Sequence, residues 1–319
     1  MNYDVFNGDA DGITSLVQLR LAQPKDSVLV TGVKRDISLL KKIKVQGGDD
    51  ITVLDVSLAK NHSATLDALE QGATVFYVDH HAQGDPIEHE RFTPLINTAP
   101  DVCTALLVNG HLKGVFPEWA VVGAFGDNLK DSARRLAQQC GLSESDTGAL
   151  GELGVLLNYN GYGLSLDDLH FAPDELYSLL LNYTSPLDFI RNNQTDFLKL
   201  RDGYAEDLAR AEGLEPCAQT TAVRVFQLPN APWARRINGV WGNELANESP
   251  DLAHAVLVGK PNSCFMVSVR APLNNKQGAG TLCSQFKTGG GREAAAGIND
   301  LPEIEMASFI EAFSAFYAG

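Results

Sequence analysis

Short apolar runs alternate with amphipathic stretches through the first half of the chain. NYDVFN (2–7) predicts a strand, the turn GDADG follows, and a helix is expected from about Ile13 to Leu21. VLVTGV (28–33) predicts a second strand, followed by a polar helix carrying Leu39, Leu40 and Ile43. ITVLDV (51–56) predicts a third, with a helix over the 60s ending near Gly72, and TVFYVD (74–79) a fourth. Apolar runs of this length, separated by helices, indicate a parallel sheet covered on both faces. Ligands of such sheets bind outside the carboxyl ends of the strands. Asn7, Asp55 and Asp79 stand at those ends.

Beyond about residue 100 the pattern turns helical: TALLVNGHL, EWAVVGAFGDN and DSARRLAQQCGL, then helical stretches over 174–213 broken at Ser185–Pro186. From Thr220 it changes again. TAVRVFQL, HAVLVGK and CFMVSVRA predict strands, TLCSQFKT a helix, and GGGREAAAG a glycine turn with a short further segment. The expected fold class is α/β: an N-terminal parallel-sheet domain with helices on both faces, plus a smaller C-terminal α+β domain. The expected boundaries are 1–185 for the metal-binding catalytic domain, 186–215 for a helical linker and 216–319 for a substrate-binding domain.

A chain of 319 residues exceeds what a single core usually holds, which supports that division. With 44% hydrophobic and 20% charged residues, no domain-sized disorder is expected. No apolar run approaches the roughly 20 residues needed to span a bilayer, and MNYDVFNGD does not read as a secretory signal. The five scattered cysteines lack metal-ligand or redox-motif spacing, so a reduced cytoplasmic protein is expected. The net charge of −15 opposes a salt-driven grip on long nucleic acid. It leaves room for a phosphate substrate, because bound cations invert the local sign. Lys34 and Arg35, like the other short basic pairs, read as solvated surface charge.

Four loci carry chemistry, and all four are expected to converge at strand ends: Asp9 and Asp11 in the turn after the first strand, Asp55 closing the third, Asp79-His80-His81 closing the fourth, and Asp127 in AFGDN. A DxDG turn by itself is more often a cap or loop. Several carboxylates facing one cleft would repel unless a cation held them. Oxygen and imidazole ligands without thiolate favour Mn²⁺, with Mg²⁺, Co²⁺ and Fe²⁺ as alternatives. Two such ions about 3.5–4 Å apart can clamp a phosphoryl group and activate water.

FNGDADGITS, VLDVS, YVDHHAQG and FGDN resemble, in order and type, the four motifs of the DHH phosphoesterase superfamily. VSVRAPLNNKQGAGTLCSQFKTGGGREAAAG resembles the DHH-associated C-terminal domain of RecJ-like exonucleases and nanoRNase/pAp phosphatases. The resemblance implies two divalent metal ions, with Asp55 bridging them. Asp11, His80 and Asp127 would complete one site, and Asp9 would belong to the other. Asp79 and His81 are the catalytic candidates, His81 lying by the scissile phosphate while a metal-held hydroxide attacks in line. Ser268, Arg270, Gly289, Gly290, Gly291 and Arg292 would form a substrate phosphate site facing the metals.

The sequence departs from the family's pattern twice. The first motif normally opens with a ligand histidine, where this chain has Phe6, Asn7 and Gly8. Asn7 offers only a neutral carbonyl oxygen, so one metal site is expected to be weak or selective for a harder ion. Arg292 stands where a histidine usually follows the glycines; it can clamp a phosphate but not carry a proton. The expected activity is metal-dependent hydrolysis of phosphoester bonds in a small nucleotide or short oligonucleotide. The alternatives are a catalytically weak nucleotide-binding or sensor protein and a RecJ-like single-strand exonuclease. No membrane partner is expected, and a homodimer is left open.

Overall fold

The structure, a computed structural model, describes residues 1–318. The chain divides into two compact units, Met1–Asp202 and a second beginning at Gly203.

The first unit is built on five parallel strands in the order β2-β1-β3-β4-β5. These are β1 (Asn2–Phe6), β2 (Val28–Val30), β3 (Asp50–Leu54), β4 (Thr74–Asp79) and β5 (Phe92–Ile96). The chain leaves β1 for β2 on one side, then returns to place β3 on the other. The crevice between the ends of β1 and β3 is therefore a topological switch point. Helices α1 (Ala10–Ala22) and α2 (Leu58–Glu70) are followed by α3 (Thr104–His111), α4 (Pro117–Gly126), α5 (Lys130–Gln139), α6 (Glu144–Asn160), α7 (Pro173–Leu180) and α8 (Pro186–Asn192). Tyr3, Val5, Ile51, Val53, Val75 and Tyr77 alternate along the central strands onto one face, where they meet Leu58, Ala68 and Leu69 of α2. The other face takes α1, which packs on α3, α4 and α7. There Phe6 meets Tyr177 of α7, ring centroids 5.7 Å apart.

That second face also buries a charge pair. Arg20 of α1 grips Asp4 of β1 with two nitrogens, Nε lying 2.7 Å from Oδ2, and Nη2 also donates to Thr52 Oγ1 at 3.2 Å. The two side chains are 3% and 1% exposed, so the pair is removed from water and welds α1 to the strand it follows.

Helix α9 (Gln194–Glu212) leads into the second unit, a six-stranded mixed sheet in the order β10-β11-β9-β8-β7-β6. Its members are β6 (Ala218–Gln219), β7 (Val223–Leu228), β8 (Ala253–Gly259), β9 (Cys264–Arg270), β10 (Gly289–Gly291) and β11 (Ala295–Pro302), with only β7 and β8 pairing in parallel. Helix α10 (Pro232–Glu248) packs on β8 and β9, Trp241 meeting Phe226 at 4.8 Å between ring centroids. Short α11 (Ala279–Cys283) and α12 (Met306–Ala318) close the core with Leu282, Phe309 and Phe313. Among the described residues no helix is long and apolar enough to cross a membrane.

The structure departs from the sequence reading in four places. Leu39–Lys42 forms a single 3-10 turn in place of the expected polar helix. β5 was not foreseen. Asp127 caps the C-terminal end of helix α4 and does not end a strand. The glycine triplet is edge strand β10, paired with Ile298, Gly297 and Ala296. A Cβ at Gly289 would lie 1.8 Å from Cys283 O, and Gly291 has φ 144° with Ala296 Cα 2.5 Å from an added Cβ. Close packing alone demands glycine at both positions, while Gly290 faces open space.

Candidate metal centre

The carboxyl ends of β1, β3 and β4 deliver three groups to one place. Asp9 caps α1, its Oδ1 accepting the Gly12 N–H at 3.1 Å, which puts Asp11 in the first helical turn. Asp55 follows β3 with φ 58°, a left-handed backbone that a non-glycine residue adopts at some strain. Its Oδ1 accepts from Thr104 Oγ1 at 3.3 Å. The Asp11 carboxylate accepts the first N–H groups of α3, from Thr104 at 2.8 Å and Ala105 at 2.7 Å.

His80 is the pivot. Its Nδ1 donates to Val102 O at 2.9 Å, which turns Nε2 toward the acids. Around Nε2 stand Asp55 Oδ1 at 3.3 Å, Asp11 Oδ2 at 3.7 Å and Asp127 Oδ2 at 3.9 Å. Ligand atoms about 2.1 Å from one ion sit at such separations from each other, and a backbone-pinned imidazole is the usual support of a metal-binding histidine. Three carboxylates and an imidazole, without thiolate, fit a divalent ion of the Mn²⁺ or Mg²⁺ type. Asp55, His80 and His81 also bring ligand atoms within 4.8 Å of one another.

His81 is held differently. Its Nδ1 donates to Asp79 Oδ1 at 2.7 Å, and the second Asp79 oxygen accepts the Leu58 N–H of α2 at 3.3 Å. Asp79 is fully buried. Burial depresses the His81 pKa, but the Asp79 hydrogen bond and charge, with Asp55 behind them, carry it above the ordinary histidine value. Burial raises Asp55 well above the usual carboxylate range, and the charges of Asp11 and Asp9 add to it. Asp11 is raised by burial, against the pull of His80, and again by Asp127 and Asp9.

Asp9 goes the other way. Burial would raise it, but Lys34 outweighs burial and lowers it. Lys34, expected as surface charge, has a side chain 22% exposed, with its ammonium on Asp9 and 2.8 Å from Asn158 Oδ1. The Asn7 amide nitrogen donates to Lys34 O at 3.2 Å, while its Oδ1, the atom expected as a ligand, is buried without a hydrogen-bond partner among the described atoms. Sequence reasoning also missed Thr104 and Cys103. Burial, with Asp11 and Asp127 adding to it, pushes the Cys103 thiol well up and keeps it protonated beside the acids. Lys34 was legible in principle, since it follows β2 at the same edge of the sheet; Asn158, within α6, gave no signal.

In the second unit, Ser268 lies buried in β9 between Val256 and Gly297. Arg270 and Gly291 flank β11 at the same end of the sheet, paired with Ala295 and Ala296 respectively. The Arg270 guanidinium already donates to Asn243 Oδ1 at 2.5 Å and Gly239 O at 3.0 Å, both on α10. Arg292 is half-buried directly after β10.

No family model matches the sequence, and no curated protein does. Solved structures match along nearly its whole length. The exonuclease RecJ bound to manganese is similar with a TM-score of 0.64 and 16% identity, over 99% of this chain and 90% of that one. PggH from Vibrio cholerae, a pGpG-specific phosphodiesterase, is similar with a TM-score of 0.56 and 17% identity, over 99% of this chain and all of that one. An exopolyphosphatase-related protein from Bacteroides fragilis reaches 0.54 at 12% identity, over 99% and 91% of the two chains. The chain has the fold that these proteins share. At these identities the likeness is one of fold, and it carries both units.

Proposed function

We propose that this protein hydrolyses a phosphoester bond in a small nucleotide or short oligonucleotide, using a divalent cation held by Asp11, Asp55, His80 and Asp127. One observation carries the reading: three aspartate oxygens stand within 3.3–3.9 Å of the Nε2 of His80, whose Nδ1–H is committed to Val102 O. Manganese is the favoured ion, on the donor set and on the manganese-bound RecJ among the structural neighbours. Bound there, it supplies Lewis acidity toward a phosphoryl oxygen and acidifies the attacking water.

The chain's own residues supply the rest. With Nδ1–H given to Asp79, His81 exchanges protons with substrate through Nε2. Its raised pKa suits it to protonate the leaving oxygen near neutral pH. We assign this chemistry to residues 1–185, a helical connector to 186–215 and phosphate or terminal-nucleotide binding to 216–319, through Ser268, Arg270, Gly290 and Arg292. A small substrate is favoured by the net charge of −15 and by the likeness to PggH, which this chain matches over that protein's full length. The five free thiols fit a reducing compartment, and we place the chain in the cytoplasm.

A second reading rests on Lys34. With an ammonium on Asp9, a protein of this fold can bind nucleotide and turn it over poorly. A panel separates the readings: linear dinucleotides, pAp, cyclic dinucleotides, polyphosphate and a single-stranded 20-mer, each with Mn²⁺. Turnover confined to the short nucleotides supports the proposal. Preference for the 20-mer points to a RecJ-like exonuclease, and nucleotide binding without turnover in any metal points to the sensor.

A further inference from the structure

The loop leaving β2 carries Lys34 into the acid cluster and fixes it there at every polar group. Its N–H donates to Gly161 O at 2.8 Å, and its carbonyl accepts from Asn7 Nδ2 at 3.2 Å. Its ammonium pairs with Asp9, donates to Asn158 Oδ1 at 2.8 Å and lies 5.4 Å from the centroid of the Tyr162 ring. A carboxylate, an amide oxygen and an aromatic face make a built cation site, and the protein fills it with its own side chain. Both Asp9 oxygens are engaged, Oδ1 by the Gly12 N–H and Oδ2 by Lys34. Asp11 and Asp55, beside His80 Nε2, accept from neutral donors: Asp11 from the N–H groups of Thr104 and Ala105, Asp55 from the Thr104 hydroxyl.

The departure at Asn7 and the buried Lys34 then form one device. Asn7 stands where a ligand histidine is expected, and its amide braces the backbone of the lysine that neutralises Asp9. We propose that the Lys34 ammonium permanently replaces one cation of a two-metal centre, so that this protein works with a single divalent ion and a fixed positive charge beside it. The inference rests on the metal-site reading above but not on turnover, so a chain that hydrolysed nothing would leave the ion count as its test.

Equilibrium dialysis of the full-length protein against Mn²⁺, with elemental analysis and electron paramagnetic resonance, reads the count directly. One manganese per chain and the six-line spectrum of an isolated ion are expected at saturation. Lys34→Met combined with Asn7→His is expected to take up a second ion, with a spin-coupled spectrum, whereas Lys34→Arg keeps the charge and stays at one. Two ions, or none, in the unmodified protein overturn the proposal. So does a double variant that keeps the native circular dichroism and still binds one.

Discussion

His81 Nδ1 lies 2.7 Å from Asp79 Oδ1, and the same carboxylate holds the first N–H of α2 through its other oxygen. One buried aspartate thus sets both the tautomer of His81 and the position of the helix above the site. Asp79→Asn should lower turnover about 10–100-fold, in the range seen for groups that orient a ligand or catalytic histidine. It should also lower the apparent pKa of the His81 limb in the rate–pH profile, since Asp79 is what holds that pKa up. A unchanged profile with reduced rate would assign Asp79 a purely structural role.

Asp55 combines a left-handed backbone with a carboxylate that burial and its acidic neighbours disfavour. Asn tolerates that backbone better than most residues and removes the charge. Asp55→Asn should therefore abolish tight manganese binding and raise the stability of the metal-free protein by about 0.5–2 kcal/mol. Urea denaturation in the presence of chelator measures the second effect; equal or lower stability would contradict the repulsion assigned to this cluster.

The Arg20–Asp4 pair should behave as a buried ion pair. Arg20→Met strands the Asp4 carboxylate and should cost about 3–5 kcal/mol. Adding Asp4→Asn should recover much of that loss, a coupling that a double-mutant denaturation cycle detects.

In the second unit, His254 is fully buried in β8, and both of its ring nitrogens lack a hydrogen-bond partner among the described atoms. Burial, with the nearby Arg224 charge, depresses its pKa to about 4. The unfolded chain then binds the proton more readily between pH 4 and the ordinary value of about 6.5. The contribution of neutral His254 is fully present above pH 6.5 and lost as pH falls toward 4, on the order of 3 kcal/mol. His254→Leu should flatten that limb of the stability–pH curve.

The strand ends of the first unit were legible because aspartates close uninterrupted apolar runs, as at Asp55 after ITVL and Asp79 after TVFYV. Asp127 was legible as a ligand type but not in its position, because nothing local separates a helix cap from a strand end. Edge strand β10 was hidden, since three glycines read as a turn until Gly297 is seen pairing with them. Lys34 was misread for a related reason. A lysine is buried only by partners, and its amide partner Asn158 lies 124 residues further along the chain.

The central claim, metal-dependent phosphoester hydrolysis at the His80 centre, is tested most directly by following a linear dinucleotide through chromatography with purified protein and Mn²⁺. The account predicts conversion to mononucleotides that chelator abolishes, that added Mn²⁺ restores, and that His80→Ala or Asp55→Ala eliminates. Conversion that persists in either variant, or that is indifferent to chelator, would contradict it.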